Sequence, residues 1–324
     1  MASNNINWDY LTSLAVPRTN QYFSVATNND NYLHRLLPRL PVSEAGKSVF
    51  WLQTGSSTAK GFREGNAFKN PDHMTPTKGE LRIGYFHQVM RITGEAQDRM
   101  MMMGGDQIGG QFHRNMQDSF DSLIRVAEAA LYLGDDTDSY LVGLGSAIED
   151  GNNYAGIDRS AVANARSYVN DNSGTPRSLS TTLLNATHKG IVHTNRGFYD
   201  TIITSPTQGD NLRGLTADVH KLGGQVFVQP GEPMQLSIGI GTVLSSGLRI
   251  KGAPVIEIPG YPTDRIDYLA LTRGRIGIEV HRPVRIEGPF TSEQSDDIHW
   301  KITYGITLVN RNPRMDSGRL GDLS

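Results

Sequence analysis

Between Gln111 and Leu133 the residues Phe112, Met116, Phe120, Leu123, Ala127, Ala130 and Leu131 follow one another at intervals of four, four, three, four, three and one. That period lays them along a single stripe of an α-helix. Arg114, Asp118, Asp121, Arg125 and Glu128 take the remaining face, with Asp121 and Arg125 at the i,i+4 spacing that favours pairing. Gly134 then stops the helix as a C-terminal cap. At the standard rise this spine is about 34 Å long, and a one-sided helix of that length needs a partner surface of the same length. The C-terminal part supplies it. Ile276, Ile278, Val280, Val284 and Ile286 share one face, and Ile298, Trp300, Ile302, Tyr304, Ile306 and Leu308 alternate without a break. The second run reaches about 36 Å as a strand. Packing the stripe on these strands predicts an elongated α+β wedge.

Other segments are less ordered in pattern. Residues 1–44, with Pro17, Pro38 and Pro41 and the run Asn28-Asn29-Asp30-Asn31, predict an extended N-terminal arm. Ser48 to Gln53 and Leu81 to Thr93 read as strands. The stretch between them holds only Phe62, Phe68 and Met74 as large apolar groups, which predicts a long hairpin with almost nothing of its own to bury. Isolated hairpins are marginal in water, so the body of the chain or another subunit must hold it. Met100 to Met103 with Gly104, Gly105, Gly109 and Gly110 predict a flexible junction before the spine. Ser178 to His193 reads as a helix, and Phe198 to Thr204 as a strand stopped by Ser205-Pro206, with a short helix after it. Further strands are expected at Pro254 to Ile258 and Ile266 to Leu271, and a glycine-rich excursion over residues 223–247.

Composition removes several classes of protein. The 324 residues contain no Cys, so there is no disulfide framework, no Cys-ligated zinc and no thiol nucleophile. With 31 Lys and Arg against 33 Asp and Glu the formal net charge is −2, unlike a chain built to grip phosphates. Charged residues make up 20% and glycines number 35, a composition of turns and strands whose surface carries few charges to desolvate under a partner. No run approaches the roughly 18 apolar residues of a membrane span, and the start MASNNINWDY lacks the order of a signal peptide. No membrane association is expected.

Motifs of chemistry fail on inspection. Ala45-Gly46-Lys47-Ser48 resembles the end of a phosphate-binding loop, but Pro41 stands where that loop needs glycine. Gly143-Leu144-Gly145 would require a third glycine where Ile148 stands. His188 and His193 are five apart, without metal-ligand spacing, and Asp135-Asp136-Thr137-Asp138 lacks the Gly and terminal Glu of a calcium loop. No catalytic residue, metal or cofactor is expected. Arg273, Arg275, Arg282, Arg285, Arg311, Arg314 and Arg319 are interleaved with Glu279, Glu287, Glu293, Asp296 and Asp297, which predicts a mixed charged surface that pairs across an interface.

Gly143-Leu144-Gly145-Ser146-Ala147-Ile148 and Tyr154-Ala155-Gly156-Ile157-Asp158-Arg159-Ser160 resemble segments of the major capsid proteins of tailed double-stranded DNA bacteriophages, whose fold is the Hong Kong 97 type. Phe198 to Pro206, Lys251 to Ile256 and Val309 to Pro313 add to the likeness, as does the order of parts over residues 1–313. Two features depart from it. Ala163-Asn164-Ala165 stand where relatives often carry Trp, and no charged helical preface is visible before Trp8, so the resemblance implies either a separate scaffolding protein or none detectable from this chain.

The resemblance implies an N-terminal arm (1–44), an extended loop (45–96), a peripheral domain (97–157, spine 111–133, and again 273–324 with the return strands and C-terminal tail) and an axial domain (158–272). It implies a non-enzymatic shell subunit of the virion, made in the host bacterial cytoplasm. The expected partners are further copies of itself in hexamers and pentamers, then scaffolding, portal and cement proteins, with double-stranded DNA in the lumen bound without sequence specificity. Phe62, Arg63, Glu64 and Phe68 are the expected assembly contacts of the loop. An encapsulin-like compartment shell is the alternative, and a monomeric β-rich hydrolase or ligand-binding protein the alternative from another class.

Overall fold

The computed structural model describes residues 8–28, 31–53, 76–103, 105–134, 141–222, 228–230, 235–236, 243–292 and 295–324. Along the chain, helices α1 (Trp8–Ala15), α2 (Thr19–Asn28) and α3 (Tyr32–Leu36) precede strands β1 (Arg39–Leu40), β2 (Ser48–Gln53), β3 (Pro76–Leu81) and β4 (Gly84–Ile92). Helices α4 (Gly94–Met103), α5 (Gly105–Leu133) and the single turn α6 (Leu144–Ala147) follow. The middle of the chain holds β5 (Tyr168–Asn170), α7 (Thr181–Lys189), β6 (Thr201–Thr204) and α8 (Pro206–Leu222). After these come the short strands β7 (Val228–Pro230), β8 (Gln235–Leu236), β9 (Val243–Leu244) and β10 (Leu248–Ile250), then β11 (Ala253–Glu257) and β12 (Ile266–Leu269). The chain ends with β13 (Ile276–Ser292), β14 (Ser295–Asn310), α9 (Pro313–Asp316) and β15 (Ser317–Leu320).

A four-stranded sheet in the order β1-β13-β14-β4 carries the spine helix α5 on one face. The alternating residues Ile298, Trp300, Ile302, Tyr304, Ile306 and Leu308 are all buried there, and the Phe112 ring meets Trp300 edge-on at 5.1 Å. Among the described residues the spine packs chiefly on the β4 and β14 side of this face. The rest is covered by the N-terminal helices, which correct the expectation of an extended arm. Phe23 lies edge-on to Tyr304 at 5.5 Å, Tyr22 contacts Phe120 at 5.5 Å, and the Trp300 indole N–H donates to Thr12 Oγ1 at 2.8 Å. Leu11 with Ala15 and Tyr22 with Ala26 are buried pairs four residues apart, each one face of a short helix. The prolines punctuate these helices without abolishing them. Pro17 opens a 3₁₀ turn over Val16–Arg18, and Pro38 and Pro41 follow the end of α3, where a missing N–H costs nothing.

Three further corrections concern the spine and hairpin. The described residues of the junction expected at 100–110 are helical: α4 ends at Met103, and α5 begins at Gly105 as a 29-residue helix about 44 Å long. Gly109 and Gly110 face open space and lie in its first turns, where glycine lowers helix propensity without forbidding the helix. At the other end Gly134 has no left-handed φ. It stops the helix by close approach, since an added Cβ would stand 2.2 Å from the Leu141 carbonyl oxygen, while Gly143 N–H donates to the Gly134 carbonyl at 2.8 Å. The run expected as one strand from Leu81 to Thr93 breaks at Arg82-Ile83. Its head, within β3, pairs with β2, and its tail, β4, pairs with β14.

A second sheet of seven strands, β5-β15-β12-β6-β11-β10-β7, has its own core of Leu184, Ile191, Ile202, Val255, Ile266, Tyr268 and Leu320, among others. The chain beyond Asn310, expected to trail from the return strands, crosses to this sheet, where β15 pairs with both β12 and β5.

Candidate assembly surfaces

The β2–β3 hairpin is rooted in the body by an aromatic and backbone clamp. The two strands pair from Ser48 opposite Leu81 to Gln53 opposite Pro76. Phe50 is buried with its ring 5.9 Å from that of Tyr154, and a Cβ on Gly79 would stand 2.8 Å from the Phe50 ring. The Glu80 backbone N–H donates to the Ala155 carbonyl at 2.9 Å. Tyr154 is fixed in turn by the Asn310 N–H, which donates to its hydroxyl at 2.8 Å, and burial pushes that phenol well above its ordinary pKa. On the outer side Trp51 is 62% exposed. Lys78 and Lys47 both reach the Glu80 carboxylate and hold its pKa below the usual range.

Two buried arginines hold the connection between the sheets. A one-turn helix such as α6 satisfies few of its own carbonyls, Leu144 accepting from the Ile148 N–H at 3.1 Å. Arg159 Nη2 donates to the Ser146 and Ala147 carbonyls at 3.0 and 2.9 Å, and its Nε to the Ala165 carbonyl at 2.9 Å. Arg319 takes the Gly145 and Leu144 carbonyls at 2.9 and 3.0 Å while pairing with Asp267 at 2.7 Å. Asp267 also accepts from the Tyr261 hydroxyl. Burial lowers the pKa of Arg319, and its Asp267 partner outweighs that and leaves it raised. The Arg159 guanidinium, fully buried, lies 5.0 Å from the Tyr154 ring centre. Residues 143–148 and 154–160 therefore form the joint where hairpin, spine and both sheets meet.

The surfaces left for a partner lie elsewhere. On the sheet face opposite the helices, Tyr85 and Val89 of β4 are 59% and 46% exposed, and Phe290 of β13 is 51% exposed. Val126 and Leu133 form an exposed apolar strip on the outer side of α5. Phe62, Arg63, Glu64 and Phe68 lie outside the described residues, so only the root of their hairpin is placed. Several of the interleaved C-terminal charges, expected to pair across an interface, have partners within the subunit. Asp316 takes Arg273 at 2.9 Å, Glu279 takes Arg311 at 2.8 Å, and Glu287 takes Arg282 at 2.7 Å. His188 Nδ1 meets the Tyr199 hydroxyl at 2.9 Å. Among the described residues no group of three His, Asp or Glu is set to hold a metal ion, and no helix is long and apolar enough to cross a membrane.

One side chain of the spine is placed opposite to expectation. Glu128, expected on the solvent face of the spine, is buried at 4% exposure and accepts hydrogen bonds from α3. The only trace in the sequence is Tyr132 four residues on, an apolar residue with a hydroxyl to place.

A long spine helix on a sheet of long strands, a rooted hairpin and a second mixed sheet make up the Hong Kong 97-type capsid fold, and the chain has that α+β fold. The capsid subunit of cyanophage A-1(L) superposes with a TM-score of 0.68 at 16% identity, over 91% of this chain and 93% of that one. The capsid protein of a native GTA particle gives 0.60 at 12% identity, covering 91% of each chain. The SrpI encapsulin of Synechococcus elongatus gives 0.55 at 11% identity, over 91% of this chain and 88% of that one. No family model matches the sequence, and no curated protein matches it.

Proposed function

We propose that this chain is the major capsid protein of a tailed double-stranded DNA bacteriophage, a non-enzymatic subunit that assembles through hexamers and pentamers into an icosahedral shell around the genome. The observation that carries this reading is the extent of the likeness: the match to the cyanophage capsid subunit takes in 91% of this chain and 93% of that one. A physical argument supports it. Residues 54–75 offer Phe62, Phe68 and Met74 as their large apolar groups, while ordering them costs about 1 kcal/mol per residue in backbone entropy. Contacts with neighbouring copies offset that cost, with Phe62 and Phe68 as anchors and Arg63 and Glu64 at their rim.

The remaining partners follow from the same reading. Scaffolding, portal and cement proteins would meet the shell, and the genome would fill the lumen without sequence-specific contacts, a chain of net charge −2 adhering to it weakly. The protein would be made in the bacterial cytoplasm and reside in the virion. The fold match to the SrpI encapsulin favours one second reading, a compartment shell around protein cargo. Contents decide between them. Particles isolated from the producing cells are expected to hold nuclease-protected double-stranded DNA, whereas a stoichiometric enzyme in place of DNA would transfer the chain to the compartment reading.

A further inference from the structure

Two histidines seat the N-terminal helices on the spine. Near its C-terminal end, α5 presents Glu128, which accepts the backbone N–H of Leu33 at 2.6 Å and of His34 at 3.0 Å, so a spine side chain caps the first turn of α3. The same carboxylate pairs with His34 Nδ1 at 3.0 Å and accepts from the Tyr132 hydroxyl at 2.6 Å. A carboxylate can only accept, so Nδ1 carries the proton and the neutral ring presents a bare Nε2. That atom is buried and has no hydrogen-bond partner among the described residues. Facing His34 are Glu128 and Tyr132 from α5 and the Tyr304 ring of β14 at 5.8 Å, with Arg39 on its own segment and Arg35 next in sequence.

His113 stands near the other end of the same contact. Arg18 Nη1 approaches its Nε2 at 3.3 Å, and the Tyr22 hydroxyl meets its Nδ1. A guanidinium can only donate, so Nε2 is unprotonated. A proton there would remove the acceptor and set an imidazolium against Arg18. Burial lowers the pKa of both rings. At His113 the charge of Arg18 adds to the effect, and at His34 Glu128 opposes it while Arg39 adds to it.

We propose that His34 and His113 form an acid-sensitive latch: with both imidazoles neutral it holds residues 8–40 on the spine, and protonation of both lets that segment lift from the sheet. The face bared would include Trp300 and Tyr304. Each ring is harder to protonate in the closed state than in the open one. The stabilisation is therefore complete above the open-state pKa of about 6.5 and is lost as pH falls below it. The latch belongs to the subunit and stands independently of the shell reading.

Trp300, whose indole N–H is bonded to Thr12 of α1, reports whether the segment is seated. The chain has three tryptophans, so Trp8→Phe with Trp51→Phe leaves Trp300 alone. In that background, acrylamide quenching is expected to rise severalfold between about pH 7.5 and about pH 5. Adding His34→Asn and His113→Gln, which keep a donor toward Glu128 and an acceptor toward Arg18 but do not titrate, should flatten the response. Hydrogen exchange of the unaltered chain at the two pH values, corrected for intrinsic rates, is the measurement that needs no variant to fold. Residues 8–40 should lose protection before β6, β11 and β12 do. Unchanged quenching, an equal acid response in the histidine variant, or simultaneous loss of protection in both regions would each overturn the latch.

Discussion

Glu128 accepts four hydrogen bonds in a site closed to water, and the cost of losing it follows from the donors left behind. Glu128→Ala should destabilise the subunit by about 3 kcal/mol or more in urea unfolding, since several buried donors lose their acceptor. Asp118→Ala, exposed on the same helix, should stay within about 0.5 kcal/mol. Phe120→Ala should cost about 3 to 5 kcal/mol, because the Phe120 ring is fully buried against Tyr22. Arg319→Met leaves Asp267 buried without its cation and should cost about 3 to 5 kcal/mol in the same measurement. The apolar residues were legible at this scale because periodicity reports burial directly. The buried polar ones were not. Glu128 follows Ala127 at the edge of the stripe, and Arg159 and Arg319 look like any surface arginine until the carbonyls of α6 are brought to them.

Elements were legible where one local period ran unbroken. Ser48 to Gln53 is a strand as expected, and the alternation from Ile298 to Leu308 is the buried face of β14. The N-terminal helices were hidden by brevity, at eight, ten and five residues with prolines at their boundaries. Strand partners were hidden because a period of two says which face is buried and nothing about which neighbour supplies the ladder. Thus Leu81 to Thr93 could read as one strand although β3 and β4 serve different sheets. The hairpin carries the prediction at this scale. Replacing residues 54–75 with a short Gly-Ser turn keeps the β2–β3 root and should leave a soluble subunit with near-native circular dichroism and thermal unfolding, while closed shells no longer form. Phe62→Ala with Phe68→Ala should reproduce much of that assembly defect. A deletion variant that fails to fold would mean the loop packs on its own chain.

At the scale of the whole molecule, two cores joined through the α6 connection leave Trp51, Tyr85, Phe290 and Leu133 exposed outside both. Such exposed apolar groups suit a surface that neighbouring copies cover. The wedge of helix and long strands was legible in the sequence because both halves are one-sided and matched in length. The expected assembly contacts Phe62, Arg63, Glu64 and Phe68 lie outside the described residues, and the sequence argues for them only by a deficit, a segment poor in apolar groups, which does not say which surface receives it. The measurement that bears most directly on the shell reading is cryo-electron microscopy of the purified chain, with particle mass by sedimentation. Closed icosahedral shells or capsomer rings are expected. A chain that remains a compact monomer across salt conditions and with scaffolding protein supplied would contradict it.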